Sequence, residues 1–220
     1  MKAMILAAGR GERMRPLTDT CPKPLLKVNG KALIDYHLES LALCGIHEVV
    51  INTAWLGQQV TTHVGNGSRW GLNIQFSHEG WPALETGGGI FNALPLLGNE
   101  PFLVINGDVF TSWRLTSPQL PMQWRSESLV HLILVPNPSH HPRGDFGLSD
   151  HVLTENASEQ FTYSGIGFFH PLLFSGCRGG AFKLAPLLYG AVHKNRATGE
   201  LFSGNWSDVG TPERLASLQE

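Results

Sequence analysis

The sequence has little charge, and the charge it has is nearly balanced. Charged residues make up 15% of its 220 residues, and 16 basic against 18 acidic side chains leave a formal charge of −2. Such a chain lacks the excess of positive charge with which proteins hold nucleic-acid backbones or anionic membrane surfaces. We therefore expect no nucleic-acid partner and no membrane partner, and any polyanionic ligand must be held by a few local charges.

Cysteine is scarce as well. The three cysteines, Cys21, Cys44 and Cys177, are an odd number at spacings that match neither a disulfide framework nor a zinc-binding CxxC pair. A reducing compartment is the simplest interpretation. The apolar run at residues 3–8 is too short for the core of a signal peptide or for a membrane span. Together these absences predict a cytoplasmic location.

Linkers, internal repeats and low-complexity tracts are also missing, as are the hexapeptide repeats of an appended β-helix. Hydrophobic residues make up 42% of the chain, and 25 glycines and 14 prolines are spread along it. This composition excludes a disordered tail, a coiled coil and a collagen-like repeat. We predict one domain over residues 1–220, with no obligate protein partner evident.

What the sequence does contain is an alternation of strand-like and helix-like segments. Residues 3–8 form a continuous apolar run typical of a buried strand, and residues 31–44 carry apolar side chains at helical spacing. Further strands are predicted at residues 48–53, 72–77, 102–105, 129–135 and 163–170, and further helices at 56–64, 89–97, 183–194 and from 212. This order predicts an α/β fold whose mostly parallel, Rossmann-like central sheet is flanked by helices.

A glycine loop, LAAGRGERMRPLT at residues 6–18, follows the first predicted strand. Ligands of open α/β sheets bind at such strand ends, glycines let backbone N–H groups approach phosphate oxygens, and arginines add charged donors. The alternative is a plain turn with solvated arginines. Met14 stands where a dinucleotide-binding loop has its third glycine, which argues against a nicotinamide-dependent oxidoreductase, and no Gly-Lys-Ser/Thr follows for a P-loop.

The loop continues to Lys23, which lies between Pro22 and Pro24. Two prolines restrict the backbone and aim one ammonium group, although a surface lysine in a rigid turn has the same pattern. The whole string LAAG-x-G-x-R-M-x-PLT-x-x-x-PKPLL resembles the signature of the sugar-phosphate nucleotidyltransferase family. The resemblance implies a GT-A-like fold and an enzyme that joins a nucleoside triphosphate to a sugar 1-phosphate and releases pyrophosphate.

Six further stretches resemble a narrower, UTP-dependent group within that family, one that serves cell-wall recycling. They are residues 54–59 (AWLGQQ), 84–90 (LETGGGI), 106–109 (NGDV), 143–146 (RGDF), 180–188 (GAFKLAPLL) and 206–211 (WSDVGT). The implied substrates are UTP and a sugar 1-phosphate. Other pairings of a nucleoside triphosphate with glucose or mannose 1-phosphate stay open, as does a non-catalytic nucleotide-sugar-binding regulatory subunit.

Two aspartates are candidate metal ligands. Asp108 follows a buried strand through Asn106 and Gly107, and Asp208 lies in a similar turn a hundred residues later. Two hard oxygen donors together with phosphate oxygens suit Mg²⁺, although either aspartate alone is as typical of a helix cap or a turn. The resemblance implies that Asp108 and Asp208 bind Mg²⁺ and that Asn106 contacts the nucleotide.

Three consecutive glycines, residues 87–89, follow Glu85 and Thr86 and precede a predicted helix. Glycines cost backbone entropy, so three in a row indicate that side chains are excluded at this place, for example because backbone groups contact a uracil. A flexible turn is the alternative. The candidate nucleotide-binding residues are Ala8, Gly9, Gly11, Glu12, Arg13, Lys23, Glu85, Gly88 and Asn106, and the candidate catalytic residues are Lys23, Arg13 and Asp108.

The residues that would bind the sugar carry weaker sequence patterns. Asp145 and Ser164 are candidate sugar contacts, and a solvated loop aspartate is the alternative for the first. The loop at residues 136–147 is long enough to be a lid. Its adjacent His140 and His141 have no ligand-spaced partner, so we interpret them as loop polarity and expect no metal there.

Overall fold

The computed structural model describes residues 1–219. In chain order, its strands are β1 (Ala3–Leu6), β2 (Lys27–Val28), β3 (Lys31–Ala32), β4 (Glu48–Thr53), β5 (Asn73–His78), β6 (Phe102–Asn106), β7 (Val109–Thr111), β8 (Val130–Val135), β9 (Gly147–Ser149), β10 (Val152–Thr154), β11 (Thr162–Phe169), β12 (Ala197–Leu201) and β13 (Trp206–Asp208). The helices are α1 (Leu17–Thr20), α2 (Leu33–Leu43), α3 (Gly57–Val64), α4 (Glu85–Leu97), α5 (Ala185–His193) and α6 (Pro212–Ala216).

A nine-stranded sheet forms the centre of the molecule, in the order β5-β4-β1-β6-β11-β8-β12-β10-β9. The first four of these strands are mutually parallel, and in this half Leu6 lies opposite both Asn52 and Asn106. In the other half β11 runs antiparallel to β6 and β8, while β12 is parallel to β8. The expected α/β class is confirmed, and the wholly parallel half is the one that begins with the N-terminal strand.

Both faces of the sheet are covered, because side chains alternate along each strand. On β1, Ile5 packs into one core with residues of α2 and α3, whereas Met4 packs into the other core with residues of α4 and α5. A strand that is buried on both faces has apolar residues at consecutive positions, as residues 3–6 do. Among the described residues, no helix combines the length and apolar character that crossing a bilayer requires.

Most predicted elements lie where the sequence places them, with ends shifted by a few residues. Five pairings involve strands that carry no strong sequence pattern and were not predicted: β2 with β3, β7 with β13, β9 with β10, β10 with β12, and β12 with β8. Of these, the ribbon of β7 and β13 bears directly on function, since it joins the two segments that follow Asp108 and end at Asp208.

One expectation is wrong: the three glycines do not precede the helix but lie inside α4, which begins at Glu85. Their bareness has a packing reason. A Cβ on Gly87 would lie 2.6 Å from the ring of Phe182, and a Cβ on Gly88 would overlap the carbonyl oxygen of Gly180. The N–H of Gly88 also donates to the carbonyl of Phe182 at 3.1 Å. Gly87 and Gly88 thus let α4 pack directly against the segment at residues 180–182, whereas a Cβ on Gly89 would lie 2.4 Å from Oε1 of Glu79.

This packing reverses the usual effect of replacing a helical glycine. We expect Gly88→Ala to lower the free energy of unfolding by about 2 kcal/mol, because the new methyl group has no space and Gly180 offers only backbone to move. Gly190→Ala in α5 is the matched control, since nothing lies within 4 Å of its Cβ position, and it should raise stability by roughly 0.5–1 kcal/mol. Urea unfolding measures both. Equal signs for the two variants would contradict the packing explanation.

Candidate active site

A cavity of about 550 Å³ opens at the carboxyl ends of β1, β4 and β6. Its lining is Leu6, Ala7, Ala8, Gly9, Gly11, Glu12, Arg13, Lys23, Pro24, Asn52, Glu79, Ala83, Glu85, Thr86, Asn106, Asp108 and Gly210. Of the candidate nucleotide-binding residues, all but Gly88 line this cavity, as do the three candidate catalytic residues. The strand-end position is the one at which open α/β sheets bind ligands.

The glycine loop forms one wall and is held in shape by a buried threonine. The Oγ1 of Thr18, which is fully buried, donates to the carbonyl of Gly11 at 2.7 Å. Gly11 has a φ of 65°, and a Cβ there would lie 3.0 Å from the methyl group of Thr18. Glycine is therefore required at this position by both its backbone conformation and its neighbour.

The structure separates the roles of the loop arginines. Arg13 lines the cavity. Arg10 turns away from it: its guanidinium donates to the carbonyl of Thr18 and to Asp19, both at 2.7 Å, and lies 3.9 Å from the ring centroid of Trp55. Arg13 is therefore placed to contact a ligand, while Arg10 fastens the loop to the rest of the fold.

The AWLGQQ stretch at residues 54–59 explains how that fastening works. The indole N–H of Trp55 donates to the carbonyl of Thr18 at 3.0 Å, and Gln59 donates to the carbonyl of Thr20 at 3.0 Å. Trp55 also packs against Trp81, with ring centroids 5.7 Å apart. This stretch therefore supports the segment at residues 18–20, which in turn supports the glycine loop.

Lys23 and Asp108 meet in the cavity, where the lysine ammonium donates to Oδ2 of the aspartate. Lys23 opens a tight turn directly after Pro22, and Asp108 follows β6 through Gly107. The N–H of Gly107 donates to the carbonyl of Leu6 at 2.9 Å, and a Cβ there would lie 2.6 Å from that oxygen. The close approach of Gly107 to β1 brings Asp108 beside the glycine loop.

Asp208 lies next to Asp108 because β13 pairs with β7. Val209, directly after Asp208, donates its N–H to the carbonyl of Asp108 at 2.8 Å. The Oδ2 atom of Asp208 accepts from Arg214 at 2.5 Å, whereas its Oδ1 atom is buried and has no hydrogen-bond partner. This Oδ1 atom lies 3.1 Å from Nε2 of His140. Aspartate oxygens on two paired strands, one of them buried and without a hydrogen bond, are a donor set that fits Mg²⁺.

Two polar residues of the cavity were missed from the sequence. Asn52, almost fully buried at the end of β4, accepts from the N–H of Ala7 at 2.8 Å and donates to Glu79 at 2.5 Å. Glu79 in turn accepts from the N–H of Leu84 at 2.8 Å. The polar residue at the end of an apolar strand was a usable signal for Asn52, whereas Glu79 lies in no recognisable pattern.

The remaining candidates lie outside the cavity lining. Gly88 is buried within α4, and Ser164 is buried with its Oγ accepting from the N–H of Ile166 at 3.2 Å. Asp145 accepts from the N–H of Tyr163 at 2.8 Å and lies 3.0 Å from the ring nitrogen of His141. The cavity therefore brings eight of the nine nucleotide candidates together with Asp108, whereas Asp208, Gly88 and the two sugar candidates are not among its lining residues.

One buried histidine lies behind the metal candidates. His37 on α2 is almost fully buried, and its Nε2 atom has no hydrogen-bond partner. Burial lowers the pKa of His37 to about 4, although the nearby Asp108 carboxylate acts in the opposite direction. This side chain is therefore neutral near pH 7, and the positive charge close to Asp108 comes from lysine and arginine.

Comparison with known proteins identifies the family to which this chain belongs. The model of the nucleotidyl transferase family matches residues 2–160. The chain belongs to the nucleotidyl transferase family. The matched region contains the glycine loop, Lys23 and Asp108, so membership confirms the resemblance drawn from the signature string.

Two curated relatives match over almost their whole lengths. The N-acetylmuramate α-1-phosphate uridylyltransferase of Neisseria meningitidis serogroup B is 51% identical, with 100% of this chain and 97% of the relative covered. The protein of the same name from Caulobacter vibrioides is 34% identical, with 96% and 92% covered. These proteins belong to the narrower group that the six stretches resemble.

A solved structure gives the same picture of the fold. A Bacillus anthracis protein assigned as a glucose-1-phosphate thymidylyltransferase, crystallised with sucrose, superposes with a TM-score of 0.86 at 22% identity, covering 99% of this chain and 93% of that one. At this identity the likeness shows the fold alone. The two chains therefore share one architecture over almost their whole lengths.

The contact of Arg10 with Trp55 generates a prediction about the loop. A double-mutant cycle of Arg10→Met and Trp55→Leu, followed by urea unfolding, should give a coupling energy of about 1 kcal/mol, because a partly desolvated guanidinium stacks on an indole. The control cycle is Arg69→Met with Trp70→Leu, where the guanidinium lies 3.7 Å from the ring centroid but Arg69 is half exposed. That pair should couple more weakly, and a coupling near zero for the first pair would contradict the fastening role.

Proposed function

We propose that this protein is a sugar-1-phosphate uridylyltransferase. Its substrates are UTP and N-acetylmuramic acid α-1-phosphate, and its products are UDP-N-acetylmuramic acid and pyrophosphate, a reaction of peptidoglycan recycling. The observation that carries the proposal is the convergence of the glycine loop, Lys23 and Asp108 on one cavity, with Asp208 held beside Asp108 by the pairing of β13 with β7. The full-length likeness to the two uridylyltransferases supports the choice of substrates.

The chemistry requires no covalent intermediate. An oxygen of the sugar phosphate attacks the α-phosphorus of UTP, the bond from that phosphorus to its bridging oxygen breaks, and pyrophosphate leaves with the electron pair. The attacking phosphate is already ionised near neutral pH, so no general base is needed. The protein has to align the two phosphates and to offset their negative charge.

The residues of the cavity suit those two tasks. The backbone of residues 9–13 and the guanidinium of Arg13 would hold the terminal phosphates of UTP, because glycines expose backbone N–H groups and the arginine adds a positive charge at the cavity wall. Lys23 would contribute the second cation. Asn106, Glu85 and Thr86 line the part of the cavity left for the ribose and base.

Mg²⁺ is the cofactor of this proposal, with Asp108 and Asp208 as the residues that would hold it. When bound, Mg²⁺ supplies positive charge that draws electron density from phosphate oxygens. The strand pairing that holds the two aspartates beside each other and the Oδ1 atom of Asp208, which makes no hydrogen bond, support this assignment.

The sugar side and the cellular location complete the proposal. Asp145 is kept as a proposed sugar contact, because the loop that carries it also places His140 against Asp208. Gly88 is not kept as a base contact, because its N–H is already donated to Phe182. The scarcity of cysteine and the use of UTP support a cytoplasmic location.

The first test is a substrate grid. Purified protein with Mg²⁺ is assayed for pyrophosphate release with UTP, dTTP, GTP and CTP against N-acetylmuramic acid, N-acetylglucosamine, glucose and mannose α-1-phosphates. We expect turnover confined to UTP with N-acetylmuramic acid α-1-phosphate. Turnover with another pair would support the reaction class but contradict the assigned substrates. No pyrophosphate release with any pair would favour a non-catalytic nucleotide-sugar-binding protein.

The second test concerns the cation and the carboxylate that meet in the cavity. Lys23→Ala should lower kcat by about 10²–10³-fold in a protein that still folds and unfolds cooperatively, because it removes a charge aimed at the reacting phosphates. Asp108→Ala should abolish the dependence of turnover on Mg²⁺ together with the activity itself. The control is Lys31→Ala, which breaks a 2.7 Å ion pair with Glu39 outside the cavity and should leave kcat unchanged. Near-normal turnover of Lys23→Ala would remove this residue from the reaction.

A further inference from the structure

Each of the two metal-candidate carboxylates is paired with a cation of the chain itself. Asp108 accepts from Lys23, and Asp208 accepts from Arg214. The lysine belongs to the family signature. Arg214 lies in α6 beyond the region matched by the family model, and none of the roles described so far uses it.

Arg214 is fitted closely to Asp208. Its Nη1 atom donates to Oδ2 of Asp208 at 2.5 Å and to the backbone carbonyl of the same residue at 3.1 Å. The guanidinium also lies against Gly210, where a Cβ would be 2.7 Å from Nη2. Because Gly210 lines the cavity, the positive charge of Arg214 lies directly behind the cavity wall.

His140 is the third member of this group. Its Nε2 atom is 3.0 Å from Nη1 of Arg214 and 3.1 Å from Oδ1 of Asp208, but it makes no hydrogen bond with that oxygen. Asp208 therefore has one oxygen neutralised by a guanidinium and one oxygen, buried, without a hydrogen bond. Asp208 can therefore offer one oxygen to a metal ion while its other oxygen is paired with the guanidinium of Arg214.

The counter-ion opposes a second cation at the same carboxylate. Charges a few ångströms apart in a partly buried site interact by several times the thermal energy, so a guanidinium on Asp208 weakens the attraction of that residue for a divalent ion. A triphosphate in the cavity would change the balance, since its negative charge would favour a divalent ion beside it and offset the positive charge of Arg214 behind the wall.

We propose that Arg214 is the counter-ion that sets the affinity of Asp208 for divalent cations, and that it keeps this affinity low until a nucleoside triphosphate is bound. Arg214 is thus a positioning residue that acts on the reaction through Asp208. The part of the proposal that concerns the triphosphate rests on the proposed function, whereas the part that concerns the free protein does not.

The test measures Mn²⁺ binding to the free protein by electron paramagnetic resonance, with no nucleotide and no sugar present. Arg214→Gln retains a hydrogen-bond donor and removes the charge. We expect it to bind Mn²⁺ about fivefold more tightly than the unchanged protein, because a repulsive charge beside the carboxylate is gone. Adding Asp208→Asn to this variant should cancel the gain.

The chain offers a matched control in a second trio of arginine, aspartate and histidine. Arg69 donates to Asp35 at 3.0 Å, and His63 lies 2.8 Å from the same carboxylate oxygen and 3.1 Å from Arg69. None of these three residues lines the cavity. Arg69→Gln should leave the affinity for Mn²⁺ as it is, which separates a local effect from a change in net charge.

A merely structural role for Arg214 predicts the opposite sign, since disturbing Asp208 would weaken metal binding. Unchanged or weaker binding of Mn²⁺ by Arg214→Gln would therefore overturn the proposal. If that variant does not fold, Asp208→Asn alone decides: it should alter Mn²⁺ binding to the free protein by less than about twofold, because Arg214 already suppresses this ligand, and a larger loss would overturn the proposal. Neither result depends on the substrate grid, so a wrong sugar or nucleotide is detected separately.

Discussion

The parallel pairing of β1 with β4 and β6 is the constraint on which the site depends. Leu6 lies opposite Asn52 and Asn106, so three strands end at the same level and the chain leaves each of them at one edge. Gly107 extends this pairing by one more hydrogen bond to Leu6. The glycine loop, the polar residue of β4 and Asp108 therefore have to be neighbours, although they are far apart in sequence.

The predictable part of the fold is the part with local signals. Apolar runs and helical spacing identified β1, α2, β4 and β6, because the faces they bury are set by their own periodicity. The three glycines were misplaced because their reason is not local: the atoms that exclude a Cβ from Gly87 and Gly88 belong to residues 180–182, more than ninety positions away. The run of glycines indicated that side chains are excluded there, but it did not identify the segment that packs against them.

The candidate site divides in the same way. Lys23 and Asp108 carried strong motifs, and the structure brings them into contact. The arginines of the glycine loop are equivalent in sequence, and only the carbonyl of Thr18 and the ring of Trp55 assign Arg10 to support rather than to the cavity. Such assignments need tertiary partners, because a guanidinium is drawn to phosphate, carboxylate, carbonyl and aromatic ring alike.

The balance of charge in the cavity then limits how ligands enter it. Partly buried carboxylates are stable when each has a cation beside it, and removing one member of such a pair leaves a charge that water no longer compensates. Lys23 on Asp108 and Arg214 on Asp208 satisfy this condition in the free protein. A divalent ion alone would add positive charge beside these neutral pairs, and a triphosphate alone would bring negative charge beside Asp108. A triphosphate and a divalent ion that enter together would add charges of opposite sign, so the cavity would stay closer to neutral than with either ligand alone.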